Sequence, residues 1–513
     1  MSDPGIPPDQ PDLSQPDAPD APEPAAPAPA ARRRSWVRPV AVTLGLLLVL
    51  VGGGSVVLNA VKDDDPKISY PKKWDSRILP YVKIVEKERG LTFKHPVKVK
   101  FLSAKEFEKT VRSDKKDLDK DEKKEIEQTT ALFRAFGLID GSVDLFDAFN
   151  DAQGSGTLAY YSFKDKAVTV RGSKLTLAVR ATLVHELTHV LQDQRFDVGD
   201  RLTALRKKAE KGTPTTAADA LDAIVEGDAE RTAELYRASL SSKQRAALEK
   251  AENADQKDAS SKLDKLPGVV VTLLSAPYAL GQALTEAVAS EDKKDVDDLL
   301  RDPPTDDSVL LDPLTAIGGT QKAQSVAIPK VPGGNKKFDS GQMGALITYL
   351  ILAQRIPLRD ALAAADGWDG DAYVAYDTEL GACAEVEYAT DSTEAGTRLR
   401  KAFTRWVLAA PGEPGSIGGK GDRVSFTSCD PGKKVKVAKD AASDALQLVA
   451  TRGYLGVGIM KAGVPAKGAQ CVAQGMVQRY SLANLNDPTF GANDKTVIAK
   501  IRELSQACAK QLG

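Results

Sequence analysis

The stretch Lys174-Leu-Thr-Leu-Ala-Val-Arg-Ala-Thr-Leu-Val-His-Glu-Leu-Thr-His-Val-Leu-Gln192 organises the interpretation of the whole chain. Its large apolar residues recur at spacings of three and four, which predicts a helix. On that helix His185 and His189 lie one turn apart on the same face, so both imidazoles can reach one metal ion. Glu186 projects beside them, where a general base for a metal-activated water would stand. Because the chain contains only 3 histidines, chance is a poor explanation for this spacing.

A catalytic zinc site needs a third protein ligand and an open position for water. No histidine follows His189 in the sequence, so the third ligand is expected to be a carboxylate. Glu226 is the first candidate, because residues 217–230 read as a second helix with Thr215 and Thr216 as candidate N-caps. Glu226 falls among the apolar residues of that helix, where a lone buried carboxylate is costly unless it is bound.

Several other side chains are candidates for roles in the same site. Three acidic neighbours on the second predicted helix are alternative ligands, and the last two could instead orient a ligand without touching the metal: Asp222, Asp228 and Glu230. No spacing identifies the group that stabilises the oxyanion, for which three tyrosines are candidates: Tyr160, Tyr161 and Tyr236. His95 stands at the start of a predicted strand and is expected to be a strand-end residue rather than a ligand.

The N-terminal part of the chain has a different character. Residues 1–36 are rich in Pro and Ala, poor in large apolar side chains, and are predicted to be a disordered tail. Residues 37–61 include an uncharged Val- and Leu-rich stretch long enough to cross a bilayer, and we expect a transmembrane helix there. A cleaved signal peptide is the alternative. Because arginines precede the span and aspartates follow it, the N-terminus is expected to be cytoplasmic and the remainder extracytoplasmic.

Composition and cysteine usage agree with that location. The formal net charge is -1, which indicates neither a nucleic-acid partner nor a strongly acidic one. All 4 cysteines lie in the last third of the chain, where an oxidising compartment would permit disulfides. Four cysteines allow three pairings, and of these we favour Cys383 with Cys429 and Cys471 with Cys508.

The remaining patterns predict an α+β fold that is mainly helical. Alternating residues at 96–102, and at 158–163 and 167–171, predict a strand and then a hairpin directly before the histidine helix. This hairpin could supply a sheet edge for an extended substrate, or it could be purely structural. The apolar stretch 266–280 contains two prolines and is predicted to be a buried helix rather than a second membrane span. We divide the exterior portion into a zincin-like domain at 67–375 and a cysteine-bearing α+β or helical region at 376–513.

The motifs resemble those of gluzincin-type zinc metallopeptidases, in particular membrane-anchored bacterial members, many of them actinobacterial. The resemblance rests on His185-Glu-Leu-Thr-His-Val-Leu-Gln-Asp-Gln-Arg-Phe-Asp197 and Ile224-Val-Glu-Gly-Asp-Ala229. Weaker likenesses extend it over roughly residues 90–410: Thr182-Leu-Val-His185, Asp302-Pro-Pro-Thr305 and Ala365-Asp-Gly-Trp-Asp-Gly-Asp371. The resemblance implies that His185, His189 and Glu226 bind zinc. This chain departs from the family pattern at Leu311-Asp-Pro313, where relatives carry His-Pro.

These observations predict a single-pass, membrane-anchored zinc peptidase whose substrate is a peptide or protein. One Zn²⁺ held by His185, His189 and Glu226 would activate water, and Glu186 would take its proton. The competing hypothesis is a surface scaffold or binding protein that keeps the zincin fold but has lost turnover. Retention of Glu186 argues against that alternative, because metal binding requires only the ligands, whereas hydrolysis also requires the base.

Overall fold

The computed structural model describes residues 68–154, 157–291, 296–317, 322–379, 381–410, 415–436, 440–487, 489–490 and 494–512. The predicted tail at 1–36 and the predicted transmembrane helix at 37–61 lie outside these residues. The described part is an α+β protein that is 58% helical and has two small sheets, as the sequence predicted at this level.

The helices in chain order are α1 Leu79–Arg89, α2 Ala104–Val111, α3 Lys120–Ala135, α4 Leu145–Gly154, α5 Leu177–Phe196, α6 Val198–Glu210, α7 Ala217–Ser239, α8 Ser242–Leu263, α9 Gly268–Ala289, α10 Val296–Arg301, α11 Ser308–Leu311, α12 Gly344–Ala353, α13 Leu358–Ala365, α14 Thr393–Leu408, α15 Ala442–Lys461, α16 Ala466–Arg479, α17 Leu482–Asn486 and α18 Lys495–Leu512. The strands are β1 Lys98–Leu102, β2 Ala159–Ser162, β3 Ala167–Arg171, β4 Lys336–Gly341, β5 Trp368–Thr378, β6 Gly381–Thr390, β7 Gly415–Gly418 and β8 Arg423–Cys429. Short 3-10 turns occur at Lys115–Asp117 and Pro313–Ala316.

A three-stranded sheet lies beside the histidine helix. Its strand order is β1-β3-β2, in which the predicted hairpin forms the antiparallel pair β2–β3 and β1 runs parallel to β3. A parallel connection needs a crossover, which α2, α3 and α4 provide. The apolar face of this sheet packs with α1 and α5 in one hydrophobic core that includes Val168, Val170 and Leu187. This packing places the edge strand β2 against α5, the helix that carries the histidines.

The second sheet is antiparallel and has the order β4-β5-β6-β8-β7. It shares a larger hydrophobic core with α7, α9, α12 and α13. A disulfide joins Cys383 of β6 to Cys429 of β8, and another joins Cys471 of α16 to Cys508 of α18. The pairing favoured from the sequence is therefore the pairing in the structure.

Helix α9 is the central helix of the larger core. Among the described residues it is the one helix long and apolar enough by composition to span a membrane, and 72% of its most apolar window is buried inside the protein. It packs against both α7 and α15. Pro267 precedes its first residue, but Pro277 lies within it, so the helix continues through a proline expected to interrupt it. Burial of this apolar helix offsets the cost of an internal proline, which is about 3 kcal/mol.

The cysteine-bearing region is packed onto the rest of the chain. Residue 376, where we placed the start of that region, lies inside β5, and β5 pairs with β4 on one side and β6 on the other. Arg452 of α15 forms an ion pair with Asp366 at 2.7 Å and donates to the carbonyl oxygen of Leu311 at 2.6 Å. Asp312 accepts a hydrogen bond from the side chain of Gln470 at 3.0 Å. Asp312 thus helps to hold α16 against the remainder of the fold.

Candidate metal centre

Helix α5 carries the three residues of the motif in the arrangement that the spacing predicted. The Thr176 side chain caps its N-terminus by accepting a hydrogen bond from the backbone N–H of Val179. His185, Glu186 and His189 are all almost fully buried, with exposed fractions of 1%, 1% and 4%. Nε2 of His185 lies 3.0 Å from Nε2 of His189. Both imidazoles therefore direct their Nε2 atoms toward one point.

Helix α7 brings Glu226 to that point. One carboxylate oxygen of Glu226 lies 3.1 Å from Nε2 of His185, and the other lies 3.5 Å from Nε2 of His189. In a tetrahedral zinc site with bonds of about 2.0–2.1 Å, neighbouring ligand atoms are about 3.3 Å apart. The observed separations lie on either side of that value, and the three residues form a buried group that could hold a metal ion. The donor set and its spacing both fit zinc.

The start of α7 differs from the prediction in its capping. Thr216 is the N-cap by position, but its side chain makes no capping hydrogen bond. Its hydroxyl instead lies 3.1 Å from a carboxylate oxygen of the buried Asp307, whereas the Thr215 hydroxyl accepts from the backbone N–H of Ala217 at 3.2 Å. A threonine hydroxyl is usually available to a helix N-terminus, but here the tertiary partner takes it.

A polar side chain lies beside the other ring nitrogen of each histidine. Nδ1 of His185 lies 3.4 Å from a carboxylate oxygen of Glu230 without forming a hydrogen bond, and Glu230 forms an ion pair with Arg237 at 2.7 Å. Nδ1 of His189 lies 3.0 Å from Oε1 of Gln192. Metal-binding histidines commonly donate this second N–H to an acceptor, which fixes the ring orientation. The structure therefore places Glu230 beside a candidate ligand rather than in the metal-binding group itself.

The carboxylate of Glu186 is held at one oxygen only. Oε2 accepts a hydrogen bond of 2.8 Å from the backbone N–H of Tyr161 on β2. Oε1 is buried and has no hydrogen-bond partner among the described residues. Burial raises the pKa of Glu186, although the two neighbouring histidines act in the opposite direction. An oriented carboxylate with one free oxygen and a raised pKa is suited to accept a proton from a nearby water.

In this buried region the carboxylates and the imidazoles shift one another's pKa values. Burial would lower the pKa of His185, but Glu226 and Glu230 outweigh it and raise that pKa to about 10. Burial would raise the pKa of Glu226, but His189 and His185 lower it to about 2. The carboxylate of Glu226 is thus ionised and faces two nitrogen atoms. A metal ion bound at this point would compete with protons for the imidazole nitrogens.

The tyrosines nearest the site are not all those named from the sequence. Tyr161 donates its hydroxyl hydrogen to Asp193 at 2.7 Å, Tyr160 lies against Phe107, and Tyr236 lies edge-on to Tyr81. The ring that stacks on His185 belongs to Tyr278 of α9, with centroids 6.0 Å apart and planes 22° apart. Burial and the neighbouring carboxylates raise the pKa of Tyr278 well above its ordinary value.

Two other named residues lie outside the metal-binding group. The ring centroids of His95 and Tyr70 are 3.7 Å apart, and Nδ1 of His95 lies 3.2 Å from the carbonyl oxygen of Pro96. These contacts are consistent with a strand-end position. Asp222 is one turn before Glu226 on α7 and lies 3.4 Å from Arg206. Burial raises the pKa of Asp222 to about 7, against the effect of Arg206.

Sequence analysis missed three residues that surround the centre: Arg89, Gln192 and Tyr278. Gln192 ends the motif stretch and was given no role, although position i+3 from His189 places it on the same side of the helix. Arg89 of α1 contacts Asp228, and Tyr278 of α9 stacks on His185, so neither has a signal in its local sequence. Only the tertiary structure could assign them.

Comparison with protein-family models, with curated proteins and with solved structures gave no match for this chain. The chemistry of the site is therefore inferred from its geometry alone. That geometry combines two imidazoles, one ionised carboxylate and a separate carboxylate with a free oxygen, all within one buried region.

Proposed function

We propose that this protein is a zinc-dependent peptidase of the gluzincin type. The observation that carries the proposal is the convergence of His185, His189 and Glu226 from two helices, with Glu186 beside them. Metal binding by itself would need only the first three residues. A fourth residue, whose carboxylate is held at one oxygen and free at the other, is what hydrolysis adds.

In this proposal the residues of the chain divide the work. Zinc bound by His185, His189 and Glu226 would supply a Lewis acid that makes water acidic and polarises a carbonyl group. The backbone N–H of Tyr161 orients the carboxylate of Glu186. The free Oε1 of Glu186 then accepts the proton of the attacking water and delivers it to the leaving amine. Exclusion of bulk water by the buried surroundings strengthens each of these electrostatic interactions.

We also propose that an extended peptide binds along β2. This strand is at the edge of its sheet, so one side of its backbone has no neighbouring strand among the described residues. The N–H of Tyr161 on β2 contacts Glu186, which brings the strand next to the general base. A peptide paired with β2 would thereby present a peptide bond near the metal-binding group.

A second candidate function, a metal-stabilised scaffold without turnover, is favoured by one observation. His185, Glu186 and Glu226 each have only 1% of their surface exposed. A peptide bond cannot reach these groups unless covering elements move, whereas a metal that only stabilises the fold would require no access. The two functions differ in whether Glu186 is required for hydrolysis or only packs inside the fold.

The substitution Glu186→Gln separates them. It keeps all three candidate ligands, so zinc should bind with nearly unchanged affinity, while hydrolysis of a peptide library should fall by about 10²–10⁴-fold because the base is gone. Glu234→Gln on α7, where the side chain is 35% exposed and pairs with Arg237, is the matched control and should change neither. Peptide hydrolysis by the Glu186→Gln variant at the rate of the unchanged protein would refute the mechanism.

We propose further that the protein is anchored by residues 37–61 with its N-terminus in the cytoplasm and its candidate metal centre outside. The arginines before this stretch and the aspartates after it support that orientation. Protease added to intact cells should remove the cysteine-bearing portion and leave an epitope near the N-terminus protected. Release of a soluble form that begins near Val61 would show instead that the segment is a cleaved signal peptide.

A further inference from the structure

Gln192 fixes the orientation of His189 through a hydrogen-bond geometry that allows only one arrangement. Its side-chain amide has two neighbours at one end: the carbonyl oxygen of Val225 at 2.9 Å and a carboxylate oxygen of Asp228 at 2.9 Å. Both neighbours are acceptors, so the amide NH₂ group must face them. The amide oxygen then faces Nδ1 of His189 at 3.0 Å.

This arrangement decides which nitrogen of His189 is free for a metal. An amide oxygen can only accept, so Nδ1 of His189 must carry a hydrogen. In the neutral imidazole the lone pair then lies on Nε2, the atom that faces His185 and Glu226. Gln192 is 1% exposed, so water does not compete for these hydrogen bonds.

Asp228 in turn contacts an arginine from α1, the first helix of the described residues. Nε of Arg89, the last residue of α1, lies 3.0 Å from the same carboxylate oxygen of Asp228 that accepts from Gln192. The guanidinium also pairs with Asp297 of α10. The side chains of Arg89 and Asp228 have exposed fractions of 6% and 0%. A buried ion pair of this kind has little freedom to rearrange, because separation would leave either charge unpaired in the interior.

We propose that Gln192, Asp228 and Arg89 are positioning residues of the metal centre. They form a relay from α1 to His189 that holds the Nε2 lone pair toward the metal. Helix α1, which sequence analysis left without a role, is on this proposal part of the metal-binding apparatus. The inference deepens the proposed function and rests on it only for the identity of the metal, since its test measures zinc binding and not hydrolysis.

The test compares three variants of the full chain by competition of a chromogenic chelator for zinc. Gln192→Met keeps the approximate shape of the side chain but removes the amide oxygen that faces His189 and the NH₂ group that faces Asp228. Arg89→Met removes the α1 end of the relay. Arg134→Met is the matched control, because Arg134 forms a similarly buried ion pair with Asp430 at 2.6 Å, between the end of α3 and the residue after β8. We expect Gln192→Met to weaken zinc affinity by about 10- to 100-fold, Arg89→Met to weaken it in the same direction, and Arg134→Met to leave it within about 2-fold.

A second readout detects orientation rather than stability. The chain has only 3 histidines, so ¹⁵N labelling of histidine gives a spectrum that can be assigned by substitution. In zinc-loaded protein the Nδ1–H signal of His189 should shift in Gln192→Met, because the acceptor of that hydrogen is gone. The signals of His185 and His95 should stay in place.

The outcomes distinguish this inference from the proposed function. If the unchanged protein binds no zinc, the proposed function fails. If the unchanged protein binds zinc and Gln192→Met binds it as tightly, or the His189 signal does not move, the relay is not a positioning device. If Arg89→Met does not fold, Arg89→Lys, which keeps the charge but not the forked geometry, gives the same comparison.

Discussion

At the scale of single residues, Glu226 is the side chain on which the candidate centre depends most. Its two carboxylate oxygens face two different imidazoles at 3.1 and 3.5 Å, so it joins α7 to α5 at one point. Periodicity alone predicted that it faces inward, but its acidic neighbours on the same helix remained alternative ligands. The structure separates them by partner: Asp228 contacts Gln192 and Arg89, and Glu230 contacts His185 and Arg237.

The substitution Glu226→Ala should weaken zinc affinity by more than the roughly 10- to 100-fold expected for Glu230→Ala, because it removes a ligand rather than the partner of one. It should also abolish most of the rise in melting temperature that zinc gives the unchanged protein. Glu234→Ala, on the same helix and partly exposed, should bind zinc normally. Chelator competition on the three variants measures the order, and tight binding by Glu226→Ala together with weak binding by Glu230→Ala would reverse the assignment.

At the scale of secondary-structure elements, α7 and α9 approach each other through two glycines. A Cβ on Gly227 would lie 2.1 Å from the carbonyl oxygen of Gly281, and a Cβ on Gly281 would lie 1.8 Å from that of Ala223. Both obstacles are backbone atoms, which cannot rotate away. The glycine that follows Glu226 in the motif is therefore required by the close packing of α9, the helix that sets Tyr278 against His185.

Gly227→Ala and Gly281→Ala should each destabilise the protein by about 1–3 kcal/mol or more, since the added methyl group forces the two helices apart. Urea unfolding followed by circular dichroism measures the change. Gly458→Ala on α15 is the control, because a methyl group added there would have no neighbouring atom within 4 Å. That substitution should be neutral or stabilising by up to about 1 kcal/mol, as helical glycine is entropically costly. Equal stability of all three variants would mean that the helices do not cross at these glycines.

At the scale of the whole molecule, two buried aspartates join separate parts of the fold at the start of α12. Asp307 accepts from the backbone N–H groups of Ala345 and Leu346, and Asp371 of β5 accepts from those of Met343 and Gly344. Burial, acting against these hydrogen bonds, raises the pKa of Asp371 to about 7 and that of Asp307 to about 6. The second sheet and the helical core are thereby connected through groups that titrate near neutrality.

These raised pKa values predict that stability falls as pH rises. The folded state holds a proton on Asp371 that the unfolded chain releases near pH 4, so this contribution is complete below about pH 4 and is lost as pH passes through about 7. Asp371→Asn cannot ionise and should flatten the decline between about pH 5 and 8. Asp360→Asn, which changes a side chain that is 48% exposed, should leave the slope unaltered. Urea midpoints at the two pH values provide the measurement, and equal slopes for the unchanged protein and Asp371→Asn would contradict the expectation.

The sequence by itself determined the features that depend on local periodicity and on the chemistry of single residues. The spacing of His185 and His189 fixed their shared face, because a helix brings i and i+4 together whatever surrounds it. The hairpin before α5 and the inward position of Glu226 followed from equally short-range patterns.

Only the tertiary structure decided which distant side chains complete the centre. Arg89 reaches Asp228 across more than a hundred residues, and Tyr278 reaches His185 from α9. No sequence pattern around an arginine or a tyrosine predicts such a contact, because it depends on how two helices cross and not on the sequence of either helix alone. The same holds for Thr216, whose hydroxyl contacts Asp307 instead of capping its own helix. Long-range packing selects one partner among several that local chemistry would allow.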